Sequence, residues 1–296
     1  MSSPAIAGLF PGQGSHTSDL RERTERVLPE LARRCVELVG EDPFARVADS
    51  TRFAQPAIFC ASLAGWHELR DQLQPQPLAL AGHSLGEISA LVAAEALDPL
   101  SGLGLAVRRG ELMAQAGGEE EGMLALLGAE GALVAELTRV HEVTLANDNA
   151  PGQVVLAGPL ACLRAAAAQG RGEGARAIML DVAGAFHSPA MAGAVAPFRE
   201  ALDSVEVRRP RIPVISGSRA SQFEDVRAEL AVAIVEPVRW RETMLTLAGL
   251  GAESFIDFGP GEVLARLVTR NLPKGVLVDP AELRRAGLPR ETSNAA

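Results

Sequence analysis

The chain has 296 residues, 47% of them hydrophobic and 22% charged, the composition of a folded globular protein and not of a disordered or fibrous one. A formal net charge of −9 argues against a general nucleic-acid binder, which needs a basic surface. No apolar run reaches the roughly 18 residues of a membrane span, and the N-terminus shows no signal-peptide pattern. Three cysteines without paired spacing (Cys35, Cys60, Cys162) fit a cytoplasmic chain and suggest no disulfide or zinc framework.

Ala5–Phe10 is a short apolar run stopped by Pro11-Gly12, which reads as a buried strand and a tight turn. Spacing predicts helices over Asp19–Val39 and Gln55–Leu73 and a second buried strand at Leu78–Ala81. That strand runs into Gly82-His83-Ser84-Leu85-Gly86, followed by a helix through Leu97 that Pro99 closes. A further helix covers Leu100–Ala116, and the glycine-rich Gly117–Gly122 reads as a hinge. The next stretch reads as strand Met123–Leu127, helix Glu130–Val140, strands Glu142–Ala146 and Gln153–Ala157, helix Leu160–Ala168 and strand Ala175–Asp181. That β-α-β-β-α-β order is the split-βαβ, ferredoxin-like unit. It suggests a small domain over residues 121–185, inserted into a larger α/β domain formed by 1–120 and 186–280. Helices around Pro189–Leu202, Val226–Val235 and Trp240–Leu250 follow, with strands at Pro213–Ser216 and Phe255–Phe258 and a last helix through Arg270. The polar end, 281–296, reads as a flexible tail.

The sharpest chemical signal is Gly82-His83-Ser84-Leu85-Gly86, a G-x-S-x-G between a predicted strand and a predicted helix. In that context the glycines allow a strained turn that lifts Ser84 to a helix N-terminus, where developing negative charge is favoured. A serine nucleophile needs a base. Of five histidines, His187 in Gly184-Ala185-Phe186-His187-Ser188-Pro189 is the best candidate. His83 should point away from Ser84, and His16, His67 and His141 read as loop, helix-face and solvated residues. Asp148 and Asp181 lie between serine and histidine in chain order, as a lipase-type triad acid would, but only order recommends them.

Eight motifs occur in series: Leu9-Phe10-Pro11-Gly12-Gln13-Gly14-Ser15; Gln55-Pro56-Ala57; Gly82-His83-Ser84-Leu85-Gly86-Glu87-Ile88-Ser89-Ala90-Leu91; Arg109-Gly110; Asn147 with Asn149-Ala150-Pro151-Gly152-Gln153-Val154-Val155; Ala185-Phe186-His187-Ser188-Pro189; Pro237-Val238-Arg239-Trp240; and Phe258-Gly259-Pro260-Gly261. Together, over about Ala5 to Arg270, the chain resembles the malonyl-CoA:acyl carrier protein transacylases and the related acyltransferase domains of polyketide synthases. The resemblance implies an α/β fold, an α/β-hydrolase-like large domain carrying the ferredoxin-like insert. It implies a Ser84–His187 dyad whose histidine is oriented by a backbone carbonyl, by position that of Arg239, in place of an acid. The oxyanion hole would be the backbone N–H groups of Gln13 and Leu85.

Arg109 would clamp the malonyl carboxylate through its two-pronged guanidinium. Phe186, as in malonyl-selecting polyketide acyltransferases, would leave little room for an α-methyl group, and Asn147, Asn149 and Gln153 would meet the pantetheine amides. The implied partners are coenzyme A thioesters and an acidic acyl carrier protein, with no tightly bound cofactor, no metal, no nucleic acid and no membrane. Arg266, Arg270 and Lys274 are candidates to receive the carrier. A start only a few residues before the first strand favours a free-standing protein, the lack of an obvious interface signal favours a monomer, and fatty acid biosynthesis is the expected pathway. The alternatives are a trans-acting polyketide acyltransferase, a malonate decarboxylase transacylase subunit, a serine thioesterase or esterase that needs no Arg109 clamp, and a non-catalytic carrier-docking module.

Overall fold

The computed structural model describes residues 5–73, 76–182 and 184–278. The expected tail, 281–296, lies outside the described residues. In chain order the elements are β1 (Ile6–Phe10), α1 (Leu20–Val27), α2 (Pro29–Val39), α3 (Thr51–Leu69), β2 (Ala79–Gly82), α4 (Gly86–Ala93), α5 (Pro99–Ala116), β3 (Glu121–Leu127), α6 (Gly131–His141), β4 (Thr144–Ala150), β5 (Gln153–Pro159), α7 (Leu160–Gly172), β6 (Arg176–Met179), α8 (Ala192–Asp203), β7 (Val214–Ile215), α9 (Val226–Val232), α10 (Trp240–Gly249), β8 (Ser254–Asp257), α11 (Val263–Asn271) and β9 (Val276–Leu277).

Two sheets organise them. β7-β2-β1-β8-β9 form a sheet whose paired strands are all parallel, and β4-β5-β3-β6 form a separate antiparallel one. A parallel sheet needs apolar cover on both faces, and alternate residues of each strand supply it. Phe10, Leu80 and Ile256 face a core shared with α3, α4, α5 and α8, including Ile58, Leu91, Leu105 and Phe198. Leu9, Ala81 and Phe255 face the other way, onto Trp240, Met244 and Leu247 of α10 and Leu264 and Leu267 of α11. The antiparallel sheet has its own core, in which Leu124, Leu126 and Leu156 pack on Leu137 of α6 and Leu163 of α7. Its opposite face, through Met123, Val155 and Ala157, joins the larger core. Among the described residues no helix is long and apolar enough to cross a membrane.

Several expected boundaries move, each for a local reason. The single helix expected over Asp19–Val39 is two, because Leu28 precedes Pro29 and is pushed out of the helical region (φ −134°, ψ 62°). Pro99 does not close the preceding helix. α4 ends at Ala93, just before Glu95 takes a left-handed φ of 60°, and Pro99 instead opens α5. There its missing N–H costs nothing, and Asp98 caps Leu100 N and Ser101 N at 3.0 Å each. The expected hinge is shorter than Gly117–Gly122, since Glu121 and Gly122 already pair with Pro159 and Gly158 in the sheet. The two-residue edge strand β9 carries no pattern long enough to be seen in sequence.

The junction of β2 with α4 is among the tightest places in the large unit. A Cβ on Gly82 would lie 1.9 Å from Gly86 C, and one on Gly86 would lie 2.0 Å from Phe10 O. All these neighbours are backbone and cannot rotate aside. Gly86→Ala is therefore expected to lower stability by about 2 kcal/mol or more, in the range of overpacking a tight interior. Urea unfolding measures it, and an unchanged midpoint would show that β1 can yield at this crossing.

Candidate active site

β2 delivers the chain into Gly82-His83-Ser84-Leu85-Gly86, and α4 carries it away. Ser84 takes a φ of +55°, a costly conformation for a residue with a side chain. The two bare glycines let strand and helix approach closely enough to force it. His83 points away from the serine hydroxyl. Its Nε2 lies 2.9 Å from Asn149 Oδ1, and its ring lies 5.3 Å from that of Trp240.

His187 reaches Ser84 from the segment after β6. Its Nε2 lies 2.8 Å from Ser84 Oγ. Its Nδ1 lies 2.9 Å from Ala233 O and 3.0 Å from Glu236 O. A carbonyl only accepts, so Nδ1 holds the proton and donates it to these two oxygens. Nε2 is then the bare nitrogen and accepts from the Ser84 hydroxyl. Burial, then the charge of Arg109, then His83, push the imidazole down to about 3. It is thus neutral at physiological pH and available as a base.

The histidine-orienting carbonyl is not that of Arg239. Arg239 stands immediately before α10, and its carbonyl accepts from Thr243 N at 2.9 Å and Thr243 Oγ1 at 3.0 Å. Its oxygen is consumed by the first turn of that helix. Ala233 and Glu236, upstream, take the role. Neither candidate acid touches the imidazole: Asp148 pairs with Arg241 at 3.3 Å, and Asp181 is exposed on the rim of the cleft.

Arg109, on α5, is 3% exposed. Its Nη1 donates to Gln55 Oε1 at 2.8 Å and its Nη2 to Ser84 Oγ at 3.1 Å. Gln55 on α3 is fixed in turn by donating to Thr51 Oγ1 at 2.9 Å and Met113 Sδ at 3.3 Å. Arg109 forms no ion pair with any carboxylate among the described residues. Burial lowers its pKa to about 10, against a partial counter-effect from Glu87, so it stays charged at neutral pH. The Gln13 and Leu85 amides donate to no other group among the described residues, and both residues line the cleft beside Ser84.

That cleft has a volume of about 470 Å³ and lies between the two sheets. The large unit contributes Gly12, Ser84 and Arg109, and the antiparallel sheet contributes Met123, Asn147 and Val155. Phe186 is buried on its wall, next to His187. The three expected amide-binding residues all line it, in different states. Asn147 makes no side-chain hydrogen bond among the described residues, Asn149 Oδ1 is held by His83, and Gln153 Oε1 accepts from Arg270 Nη1 at 2.8 Å. Of the candidate carrier-binding cations, Arg270 is thus engaged with Gln153, Arg266 pairs with Glu262 at 3.1 Å, and Lys274 is exposed.

Sequence reasoning assigned no role to Gln55, although a lone amide in the otherwise apolar Phe53–Ala61 stretch of a buried helix is a legible signal. It could not find Ala233 and Glu236, because a backbone carbonyl leaves no mark on residue type.

A family profile described as an acyl transferase domain matches residues 20–290. The chain is 34% identical to the malonyl CoA-acyl carrier protein transacylase of Bacillus subtilis, over 98% of this chain and 99% of that one. It is 36% identical to the polyketide biosynthesis protein ThaF of Burkholderia thailandensis, over 90% of this chain but only 24% of that much longer protein. Among solved structures, the malonyl CoA-acyl carrier protein transacylase of Coxiella burnetii superposes with a TM-score of 0.89 at 28% identity, covering 96% of both chains. The chain belongs to the acyl transferase family of malonyl CoA-acyl carrier protein transacylases, which extends to polyketide-associated members.

Proposed function

We propose that this protein transfers the malonyl group of malonyl-CoA to the phosphopantetheine thiol of an acyl carrier protein, through a malonyl-serine intermediate, in fatty acid biosynthesis. One observation carries the reading beyond a generic serine hydrolase. Arg109 is a buried, charged guanidinium that forms no ion pair with a carboxylate among the described residues, Glu87 acting on it only as a neighbouring charge, and it points one N–H at the nucleophile itself. A buried charge without a partner is costly, and a substrate carboxylate at this place supplies one.

His187 Nε2 takes the Ser84 proton as Oγ attacks the thioester carbonyl. The Gln13 and Leu85 amides face the oxyanion. The imidazolium, with Nδ1–H still held by Ala233 and Glu236, returns its proton to the departing CoA thiolate. In the second half, Nε2 deprotonates the pantetheine thiol, which takes the malonyl group from Ser84, and the imidazolium returns that proton to the departing Ser84 Oγ. This acyl exchange calls for no tightly bound cofactor beyond the two substrates. Phe186 on the cleft wall supports a preference for malonyl over α-methylated groups. Asn147, with its amide open to the cleft, is the best placed of the three polar residues to meet pantetheine.

We read the large unit, 1–120 and 186–280, as α/β-hydrolase-like, supported by the serine at the turn from a parallel strand to a helix. The unit at 121–185 is read as ferredoxin-like, supported by its β-α-β-β-α-β order and its β4-β5-β3-β6 sheet. Three free cysteines support a cytoplasmic chain. A second reading, a polyketide acyltransferase acting in trans by the same chemistry, is favoured by the relationship to ThaF and by Phe186.

Intact-protein mass spectrometry tests the proposal. Malonyl-CoA should add one malonyl group, which moves to added holo acyl carrier protein, and Ser84→Ala should take none. Steady release of malonate and CoA without transfer would replace this reading with a thioesterase. Arg109→Ala should slow malonyl loading by about 10- to 100-fold, as loss of a charge-assisted hydrogen bond does, while sparing or raising acetyl loading. Equal losses for both acyl groups would make Arg109 merely structural. At malonyl-CoA well below KM, where the rate reports the free enzyme, the stopped-flow loading rate should hold within about twofold from about pH 8 down to about pH 5, because His187 gains its proton only toward about 3. A fall with its midpoint at the ordinary histidine value would contradict this placement of the imidazole.

A further inference from the structure

Glu87 belongs to the nucleophile motif but takes no part in the chemistry above. It sits in the first turn of α4, three residues after Ser84, and is 2% exposed. A carboxylate is rarely buried without a specific partner. Here Oε1 accepts from the backbone N–H of Gly217 at 2.6 Å and from Ser216 Oγ at 3.2 Å. These residues begin the turn after β7, which packs directly on the elbow. A Cβ on Gly217 would lie only 3.0 Å from Gly82 O.

The same turn holds the segment that orients the histidine. Gly217 O accepts from Arg239 N at 2.7 Å. Arg219 Nη2 pairs with Glu236 Oε1 at 3.5 Å, and Arg219 O accepts from Arg239 Nη1 at 3.3 Å. Segment 233–239 is therefore fastened at residues 236 and 239 to a turn that Glu87 fastens to the nucleophile's helix. Within that segment lie the carbonyls of Ala233 and Glu236 that fix His187 Nδ1.

We infer that Glu87 is a positioning residue: its carboxylate ties the helix of Ser84 to the backbone that aims His187, so that nucleophile and base keep one register. The inference rests on the proposed transacylase chemistry. Glu87 also faces Arg109 on α5 and Glu229 on α9, which gives the competing reading, a counter-charge for the carboxylate clamp. The two differ in what they change. A clamp partner alters malonyl-CoA affinity. A tether between nucleophile and base alters the rate constants of both half-reactions, because both run through the same imidazole.

The experiment measures loading of Ser84 from malonyl-CoA and unloading to free pantetheine, per active site, by rapid-quench mass spectrometry. In Glu87→Ala both rate constants should fall by a common factor of about 100, the scale of an ångström-level misplacement, with KM for malonyl-CoA little changed. Glu87→Gln keeps the accepting oxygen and should restore both rates to within about threefold of wild type. A purely structural defect would lower the loaded fraction and leave the rate constants intact. That result, a loss confined to KM, or equal losses in the Gln and Ala variants would each overturn the tether. If Glu87→Ala does not fold, Ser216→Ala makes a smaller cut in the same link. It should lower both rate constants about tenfold, and unchanged rates would overturn the proposal. A wild-type protein that takes no malonyl group at all would strike the transacylase reading instead.

Discussion

Where β2 turns into α4, a methyl group on either flanking glycine would lie within 2.0 Å of a backbone atom. That contact distance governs the rest of the site. It forces Ser84 into a left-handed conformation and projects its hydroxyl off the sheet edge. It also brings the first turn of α4 against Phe10, the end of β1, so that the loop carrying Gly12 and Gln13 starts beside the nucleophile. The two loops could not converge in this way with ordinary residues at 82 and 86. The register of β1 on β2, with Phe10 opposite Gly82, sets the same convergence from the strand side.

Electrostatics then explain why the histidine is held by carbonyls and not by a carboxylate. A carboxylate at Nδ1 would raise the imidazole's affinity for a proton and would sit in the same buried region as Arg109. It would partly neutralise the charge that the substrate is to meet. Two neutral carbonyls fix the tautomer and the ring orientation, raise the proton affinity less than burial and Arg109 lower it, and leave the Arg109 charge intact. Glu87, a buried carboxylate nearby, is itself pushed up to about 7, chiefly by burial, and is only partly restrained by Gly217 and the Arg109 charge. It therefore competes weakly for the guanidinium.

Much of this was legible in the sequence because it depends on residue type. The elbow needs glycines, and the proposed nucleophile, base and clamp are a serine, a histidine and an arginine, each of which leaves its letter in place. The β-α-β-β-α-β order from β3 to β6 was visible because its strands and helices alternate with clear apolar periods. What stayed hidden depends on geometry without a letter. The donors facing Ser84 and the acceptors holding His187 are main-chain groups, so only the family resemblance could nominate them, and it placed the acceptor at Arg239, three residues after Glu236 and six after Ala233. Helix ends were misplaced where a proline had two possible readings. Pro99 could end one helix or begin the next, and only the Asp98 cap distinguishes them.

The hydrogen bond from Arg109 to Ser84 has a consequence for timing. A hydroxyl oxygen has two lone pairs, and in the free enzyme one of them is occupied by the Arg109 Nη2 proton. In the proposed reaction, an acyl group that brings its own carboxylate would draw that donor away and return the lone pair to the oxygen as the thioester arrives. An acyl group without one would leave the oxygen engaged and less nucleophilic. Under that proposal the arginine that meets the cargo would also act as a safety catch on the serine, which the correct substrate releases.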